Sequence, residues 1–244
     1  MKKTLRVVVL VLLILVLIAY VGAQFFLGSL VKAGVNRAGP RLTQSNVMLA
    51  DASLSPLTGS GTLKGLTVGN PQGWSNARAI YLGEMHFAVQ PTSLMSDTIV
   101  VNELNINQPE FTYETRVVSS NIGDLMKNIE AAVGSKAEPK DPATVGKKFI
   151  VRRLTLQNAK VSLGVGPAAF PLELPAIELV DLGVKEGGLT PSQLTFAIMK
   201  AITPQIIGAA TKAGGIGSGV GTAAGEAVKR AGEGLQKLFG GKKE

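Results

Sequence analysis

The chain has 244 residues, no cysteine, a single histidine and 5% aromatic residues. This composition excludes disulfides, thiolate nucleophiles, cysteine-based zinc sites and multi-histidine metal sites, so no catalytic residue, metal or cofactor is predicted and most enzyme classes are disfavoured. The formal net charge is +8, but the basic residues lack the interleaved aromatic residues of a nucleic-acid surface, and no nucleic-acid partner is predicted.

The first predicted element is a helix that spans a membrane. Residues 7–31 form a run of 25 residues without a charge, which exceeds the about 20 residues that a helix needs to cross a bilayer. A six-residue tail with three basic residues precedes the run, and such tails stay in the cytoplasm while large downstream domains are exported. We therefore predict a single-pass protein with a cytoplasmic N-terminus. The alternative is a signal peptide that is cleaved near Ala23 and releases the protein on the far side of the membrane.

Strands follow this helix. Residues 30–42 favour a short helical continuation that ends near Pro40, and turn residues then separate strand-like runs at 47–55, 61–69 and 79–90. In the third run, apolar and polar side chains alternate; the apolar set is Tyr81, Met85, Phe87 and Val89, and the polar set is Glu84, His86 and Gln90. This alternation predicts a half-buried strand, with His86 as a surface residue rather than a ligand or a base.

One strand pattern occurs twice. Residues 99–114 and 149–164 align without gaps, and the matched pairs are Val101 with Val151, Leu104 with Leu154, Ile106 with Leu156, Phe111 with Val161 and Tyr113 with Leu163. A shorter third copy, residues 66–71, parallels residues 104–109. Such repetition predicts repeated strand geometry.

Both long copies change the parity of their apolar residues halfway along. Even-numbered residues such as Leu104 and Ile106 give way to odd-numbered ones such as Phe111 and Tyr113. Because successive side chains of a strand point to opposite faces, a bulge or break is needed if all of them are to share one face. Pro109 lacks the N–H that a strand ladder uses, so the break is predicted at the Asn-Gln-Pro step, in a kinked and curling sheet.

Two helices are predicted after the strand copies. Residues 121–134 form an amphipathic helix with Asn121 as its N-cap; its apolar stripe consists of Ile122, Leu125, Met126, Ile129 and Val133. Residues 170–180 alternate as one more strand. Residues 190–193, Thr-Pro-Ser-Gln, then begin a second helix with a capping box, and Pro204 is expected to kink or stop it.

The C-terminal tail contains patterns that imitate known motifs. Small residues recur at every fourth position from Ala209 to Gly225, but the glycines favour a flexible or partly helical tail over a packed helix. Residues 219–224 fit a variant of the dinucleotide fingerprint, yet no strand precedes them, so nucleotide binding is not predicted. Residues 227–239 form a basic amphipathic segment that either lies on an anionic bilayer or remains solvated.

Three features occur together: the N-terminal apolar helix, the segment LKGLTVGNPQGW at 63–74, and residues 99–114 leading into SNIGDL at 120–125. In these features the chain resembles the AsmA-like proteins of Gram-negative bacteria, a group similar to the larger β-groove lipid-transfer proteins. The resemblance covers residues 1–183 and implies an inner-membrane anchor, a periplasmic bulk, and a role in phospholipid movement or envelope integrity through an apolar groove. It implies no catalytic residue. The chain is far shorter than the large members, whose many repeats could span the periplasm.

Two functions remain open. In the first, a non-enzymatic, membrane-tethered module contacts or moves membrane phospholipids with the inner face of its sheet; the residues expected to contact acyl chains are Leu66, Val68, Phe87, Leu104, Ile106, Leu154 and Leu156. In the second, the protein's own helices fill this face, and the protein is a structural or assembly factor that binds envelope proteins. The turn at 70–74 either packs Trp74 beside it or presents it to lipid or a partner.

The predicted architecture is α+β with mainly antiparallel strands, in which an N-terminal transmembrane helix is followed by a curled β-sheet with covering amphipathic helices. The expected division is a membrane anchor at 1–31, a first β repeat with its helix at 32–134, a linker at 135–146, a second β repeat with its helix at 147–211, and a Gly-rich basic tail at 212–244. No oligomeric state follows from these patterns.

Overall fold

The structure is a computed structural model that describes residues 2–116, 119–134, 146–164 and 169–212. All of the predicted linker except Gly146 lies outside the described residues, as does the tail after Lys212. The dinucleotide-like segment, the basic amphipathic segment and most of the small-residue pattern therefore fall outside them as well.

The chain begins with one long helix, α1 (Lys2–Thr43), of 42 residues. At about 1.5 Å per residue it is about 63 Å long. The helix does not end near Pro40, as predicted, but continues through it to Thr43, whose hydroxyl donates to the Gly39 carbonyl at 2.9 Å. The protein therefore has an N-terminal helix that is long and apolar enough to span a membrane, and this helix runs without interruption past residue 31.

Ten strands form one mostly antiparallel sheet that is not closed. They are β1 (Val47–Met48), β2 (Asp51–Leu54), β3 (Ser60–Gly69), β4 (Arg78–Val89), β5 (Thr98–Asn107), β6 (Glu110–Tyr113), β7 (Lys148–Gln157), β8 (Lys160–Leu163), β9 (Phe170–Glu173) and β10 (Ile177–Leu182). On one side β4 pairs with β3, which pairs with β1 and β2. On its other side β4 pairs with β5 and β6, beyond which lie β7 and β8, and then β10 and β9. The fold is thus mixed α and β, with a mostly antiparallel sheet.

The two long sequence copies lie side by side as parallel strands. Strand β5 pairs with β7 and β6 with β8, in a register that joins Val101 to Val151, Leu104 to Leu154, Ile106 to Leu156, Phe111 to Val161 and Tyr113 to Leu163. These are the pairs that the gapless sequence alignment matches. Parallel neighbours need a crossover connection, and helix α2 (Asn121–Gly134) lies in it. The repetition therefore places similar side chains next to one another on adjacent strands.

The strands break along one line across the sheet. Regular pairing is interrupted at residues 108–109 in one copy and at 158–159 in the other, where Gln108 and Asn158 have left-handed backbones with φ of 52° and 53°. The extra residue at each break restores the face of the strand, since Leu156 and Val161, on either side of it, lie in the same core. The break predicted at the Asn-Gln-Pro step is confirmed.

The break line also crosses β4, and there one predicted face is wrong. Met85 is buried as expected, but Tyr81 pairs with the exposed Glu110, while Ile80 enters the core instead. The prediction assumes that apolar and polar side chains alternate without interruption through Gly83, but Gly83 lies on the break line. A strand that kinks there changes the face of every residue beyond it.

The third sequence copy, for which no break was predicted, ends with β3 at Gly69, and Pro71 lies in the loop beyond it. The C-terminal helix, α3 (Pro191–Lys212), runs through Pro204, so of the two expected effects, a kink or a stop, the stop is wrong. Its start is as predicted: the Thr190 N–H donates to the Gln193 side chain at 2.9 Å, and the Gln193 N–H donates back to the Thr190 hydroxyl at 3.4 Å.

Side chains from α2 and α3 share one core with the sheet. The helical members of this core are Ile122, Leu125, Met126, Ile129, Phe196, Met199, Ile202, Ile206, Ile207 and Ala210, and its sheet members include Val68, Ile80, Phe111, Val151, Leu154, Leu156 and Val161. Helix α2 also touches the end of α1, where the Asn128 amide donates to the Thr43 carbonyl at 2.9 Å. The core therefore lies on one face of the sheet.

Candidate functional site

The residues predicted to contact lipid lie on the apolar face of the sheet, at different depths. Val68, Ile106, Leu154 and Leu156 are buried, whereas Leu66, Phe87 and Leu104 are half-buried. Register joins several of them across the sheet, because Phe87 pairs with Leu104 and Leu104 with Leu154. The structure thus brings the predicted residues into neighbouring positions.

Burial limits where an acyl chain could reach this face. Leu154 and Leu156 are 0% and 1% exposed and belong to the core that α2 and α3 share. A ligand could contact them only if a helix moved. Leu66, Phe87 and Leu104 keep part of their surface exposed, so contact there needs no such movement.

The opposite face of the sheet is polar and includes His86. The side chain of His86 is 64% exposed, and its Nε2 lies 3.6 Å from a Glu84 carboxylate oxygen, while its Nδ1 lies 3.3 Å from the Thr62 hydroxyl. Within the described part of the chain, no group of three or more histidine, aspartate or glutamate residues is arranged to hold a metal ion. His86 lies on the wetter face, as its position in the strand pattern predicted.

A buried polar network joins the loop after β3 to the start of α2. At its centre Asn121, which is 0% exposed, donates to the Asn70 side chain and to the Thr112 carbonyl, both at 2.7 Å. Its own oxygen accepts the N–H of Glu114 at 2.9 Å and that of Ile122 at 2.8 Å. All the hydrogen-bonding capacity of this amide is therefore used.

The Glu114 carboxylate extends the same network into the loop. One of its oxygens accepts from the Asn70 amide and, at 2.6 Å, from the Ser75 hydroxyl. Beneath the network lies Tyr113, which is 2% exposed. Burial raises the pKa of its phenol, and the nearby Ser120 hydroxyl opposes this shift. Ser120, rather than the predicted Asn121, caps the first turn of α2, because its hydroxyl accepts the Gly123 N–H at 3.0 Å.

Trp74 closes the loop over α2. Its indole N–H donates to the Asp124 carboxylate at 3.0 Å, and the Arg116 guanidinium stacks 4.6 Å from the centre of its ring. Arg116 also donates to the Gly73 carbonyl. Of the two roles expected for this residue, the structure places Trp74 beside its own turn and against α2.

Replacing Trp74 with phenylalanine is expected to lower the free energy of unfolding by about 1 to 2 kcal/mol. The aromatic face for Arg116 would remain, but the hydrogen bond to the charged Asp124 would be lost, and such bonds contribute about 1.5 to 3 kcal/mol. Denaturant unfolding of the full chain in detergent micelles measures the change. A variant as stable as the parent would show that the indole N–H contributes nothing to holding the loop on α2.

The second half of α1 packs along the edge strands β2 and β1 and runs antiparallel to both. Near its middle the Tyr20 hydroxyl lies 3.1 Å from the Ser55 hydroxyl, at the end of β2. Two turns before its end, the Asn36 side chain accepts the Leu49 N–H at 2.6 Å. The first half of the helix therefore projects beyond the end of β2.

Glycines allow α1 to approach these strands closely. A Cβ at Gly28 would lie 2.1 Å from the Ala52 carbonyl oxygen, and one at Gly39 would lie 2.5 Å from the Val47 side chain. Real side chains cannot be accommodated at such distances, so the helix and strand backbones touch only because these positions lack one. The sequence contains the glycines, but their partners are distant in the chain and could not be predicted from it.

Exposed apolar side chains lie on loops at the end of the sheet where Tyr20 meets Ser55. Leu57, in the turn between β2 and β3, is 74% exposed, and Met95, in the 3-10 helix Pro91–Met95 between β4 and β5, is 94% exposed. The two loops adjoin, because a Cβ at Gly59 would lie 3.2 Å from the Pro91 ring. Sequence analysis did not identify these residues, since a single apolar residue in a turn gives no periodic signal.

No protein-family model matches this chain, and no curated protein matches its sequence. The resemblance to AsmA-like proteins therefore depends on the segments quoted for it, and the functional assignment depends on geometry.

Proposed function

We propose that this chain is a non-enzymatic, membrane-anchored periplasmic protein of the AsmA-like type that contacts phospholipids in the maintenance of the cell envelope. The observation that carries the proposal is the first half of α1. Its large apolar side chains from Val9 to Ile18 are between 47% and 65% exposed. A helix that is apolar on all sides and has none of the described part of the chain packed around it is suited to a membrane.

The remainder of the molecule is then held beside the bilayer surface. Because α1 continues unbroken from its apolar half into the half that packs on β2, the anchor and the sheet are joined by helix rather than by a linker. Such a joint keeps the half-buried residues Phe87 and Leu104 on the bilayer side of the sheet, because Phe87 pairs with Gly61 near the end that contacts Tyr20. Each methylene of an acyl chain transferred to an apolar protein surface contributes about 0.8 kcal/mol, so contact with a few methylenes is enough for measurable binding.

Photocrosslinking in membranes tests this function. The full chain is reconstituted into vesicles that contain a phosphatidylethanolamine with a diazirine in one acyl chain, irradiated and digested, and the labelled peptides are identified by mass spectrometry. We expect labelled peptides both from the first half of α1 and from the sheet. Labelling confined to residues 1–31 would show an anchor without lipid contact elsewhere, and an absence of labelling would contradict membrane anchoring as well.

A second function is favoured by a different observation. Leu154 and Leu156 lie in a core filled by the protein's own helices, as expected for a structural or assembly factor that binds envelope proteins rather than lipid. In that case crosslinks would be confined to α1, and envelope proteins would copurify with the full chain without bound phospholipid. The same experiment therefore separates the two functions.

A further inference from the structure

Helix α1 meets the sheet after too few residues for the sheet to remain clear of a bilayer. The uncharged run begins at residue 7, and the first contact with the sheet is made by Tyr20. The intervening helix covers about 20 Å, at about 1.5 Å per residue. The hydrocarbon core of a bilayer is about 30 Å thick, so the uncharged residues before Tyr20 fall short of crossing it by about 10 Å, and tilting would increase the shortfall.

The surface at this level consists of two adjoining loops, residues 55–59 and residues 91–97, which we call the proximal end. The contact between Tyr20 and Ser55 joins this surface to α1. Its two most exposed apolar side chains are Leu57 and Met95, at 74% and 94%. Their exposure alone indicates little, because isolated apolar residues are common on the surfaces of soluble proteins. They are related to lipid by their position, because they lie at a level along α1 that is still within the thickness of the hydrocarbon core.

We propose that the proximal end enters the outer leaflet of the bilayer, with Leu57 and Met95 among the acyl chains beside α1. The inference rests on the proposed anchoring of the protein by α1 and adds the orientation and depth of the sheet. The partner proposed for this surface is the bilayer around the first half of α1, because the contact between Tyr20 and Ser55 places the loops at a level along α1 that the hydrocarbon core still covers.

The border of the proximal end carries the exposed Asp97 and two lysines beside it, and this orientation places all three at the phospholipid head groups. The exposed Lys148 lies next to Asp97, because its backbone N–H donates to the Asp97 carbonyl at 2.8 Å. The Lys147 ammonium donates to the Ser96 carbonyl. Lysines at this height would lie at the level of the phospholipid head groups, where their ammonium groups are attracted to anionic lipid.

Site-specific fluorescence in vesicles tests the inference. The chain contains no cysteine, so Leu57→Cys, Met95→Cys and Met48→Cys each provide one labelling site for a nitrobenzoxadiazole dye. Met48 is the matched control, because it is 53% exposed but lies in β1, near the other end of the contact with α1. The full-length variants are reconstituted into vesicles of phosphatidylethanolamine and phosphatidylglycerol, with and without a phospholipid that carries a nitroxide quencher on its acyl chain.

The expected result is emission at shorter wavelength, with loss of intensity in the presence of the quencher, for dyes at positions 57 and 95 but not at 48. If the protein resists extraction at alkaline pH but the dyes at 57 and 95 remain in water, the inference is overturned while the anchor stands. Quenching at all three positions also overturns it, since the sheet would then lie flat on the bilayer. A protein that is extracted at alkaline pH contradicts the proposed anchoring itself.

Discussion

Replacing Asn121 with alanine is expected to lower the free energy of unfolding by about 3 to 5 kcal/mol. The change would leave the Glu114 N–H, the Thr112 carbonyl and the Asn70 side-chain oxygen without their partner. Because Asn121 is 0% exposed, water does not replace the missing bonds without rearrangement, and each buried group left unpaired costs about 1 to 3 kcal/mol. Denaturant unfolding of the full chain in detergent micelles, followed by circular dichroism, measures the loss.

The matched control for this prediction is Asn105→Ala. Asn105 also uses its side-chain oxygen, which accepts from the Thr155 hydroxyl at 2.7 Å, but it is exposed on the polar face of the sheet. Water can replace that bond, so the variant is expected to lose less than about 1 kcal/mol. Equal losses in the two variants would mean that the buried network does not hold α2 and the loop after β3 together.

The parts of the fold that could be predicted from the sequence are those with local signals. The capping box at Thr190 and the apolar stripe of α2 each lie within a few residues, and both helices begin where these signals place them. The break at Pro109 was predictable for a related reason, since a change of parity within one strand permits few explanations. Repetition predicted repeated strand geometry, but the parallel pairing of the copies in one register is seen only in the structure.

The buried network could not be predicted, because its members are far apart in the chain. Asn121 lies 51 residues from Asn70, and Glu114 lies 39 residues from Ser75. No spacing rule connects such positions, although the loop at 70–74 and the segment at 120–125 were both noted as part of the AsmA-like resemblance. The structure gives one physical reason for these two segments to occur together: they hydrogen-bond to each other and fix the start of α2 on the sheet.

The packing of α1 on the sheet could not be predicted from the sequence either. A long apolar run predicts a membrane helix, but it does not show that the second half of the same helix packs on β1 and β2. The predicted anchor was expected to end at residue 31, before the first strands, but the structure has one continuous helix that contacts those strands from Tyr20 to Asn36. The height proposed for the sheet relative to a bilayer depends on this contact together with the start of the uncharged run at residue 7.

The substitution Gly28→Leu is expected to separate α1 from β2 and to lower the free energy of unfolding by about 3 kcal/mol. A Cβ at this position would lie 2.1 Å from the Ala52 carbonyl oxygen and 3.4 Å from the Ser53 Cα, and backbone atoms cannot give way as a flexible side chain can. The full chain in detergent micelles should therefore unfold at a temperature lower by about 6 to 12 °C. Gly34→Leu provides the matched control, because nothing lies within 4 Å of a Cβ at Gly34. Removing that glycine should instead favour the helix by up to about 1 kcal/mol. If both variants unfolded at the parent's temperature, α1 would not be packed on the sheet through Gly28, and the depth inferred for the proximal end would lose its basis.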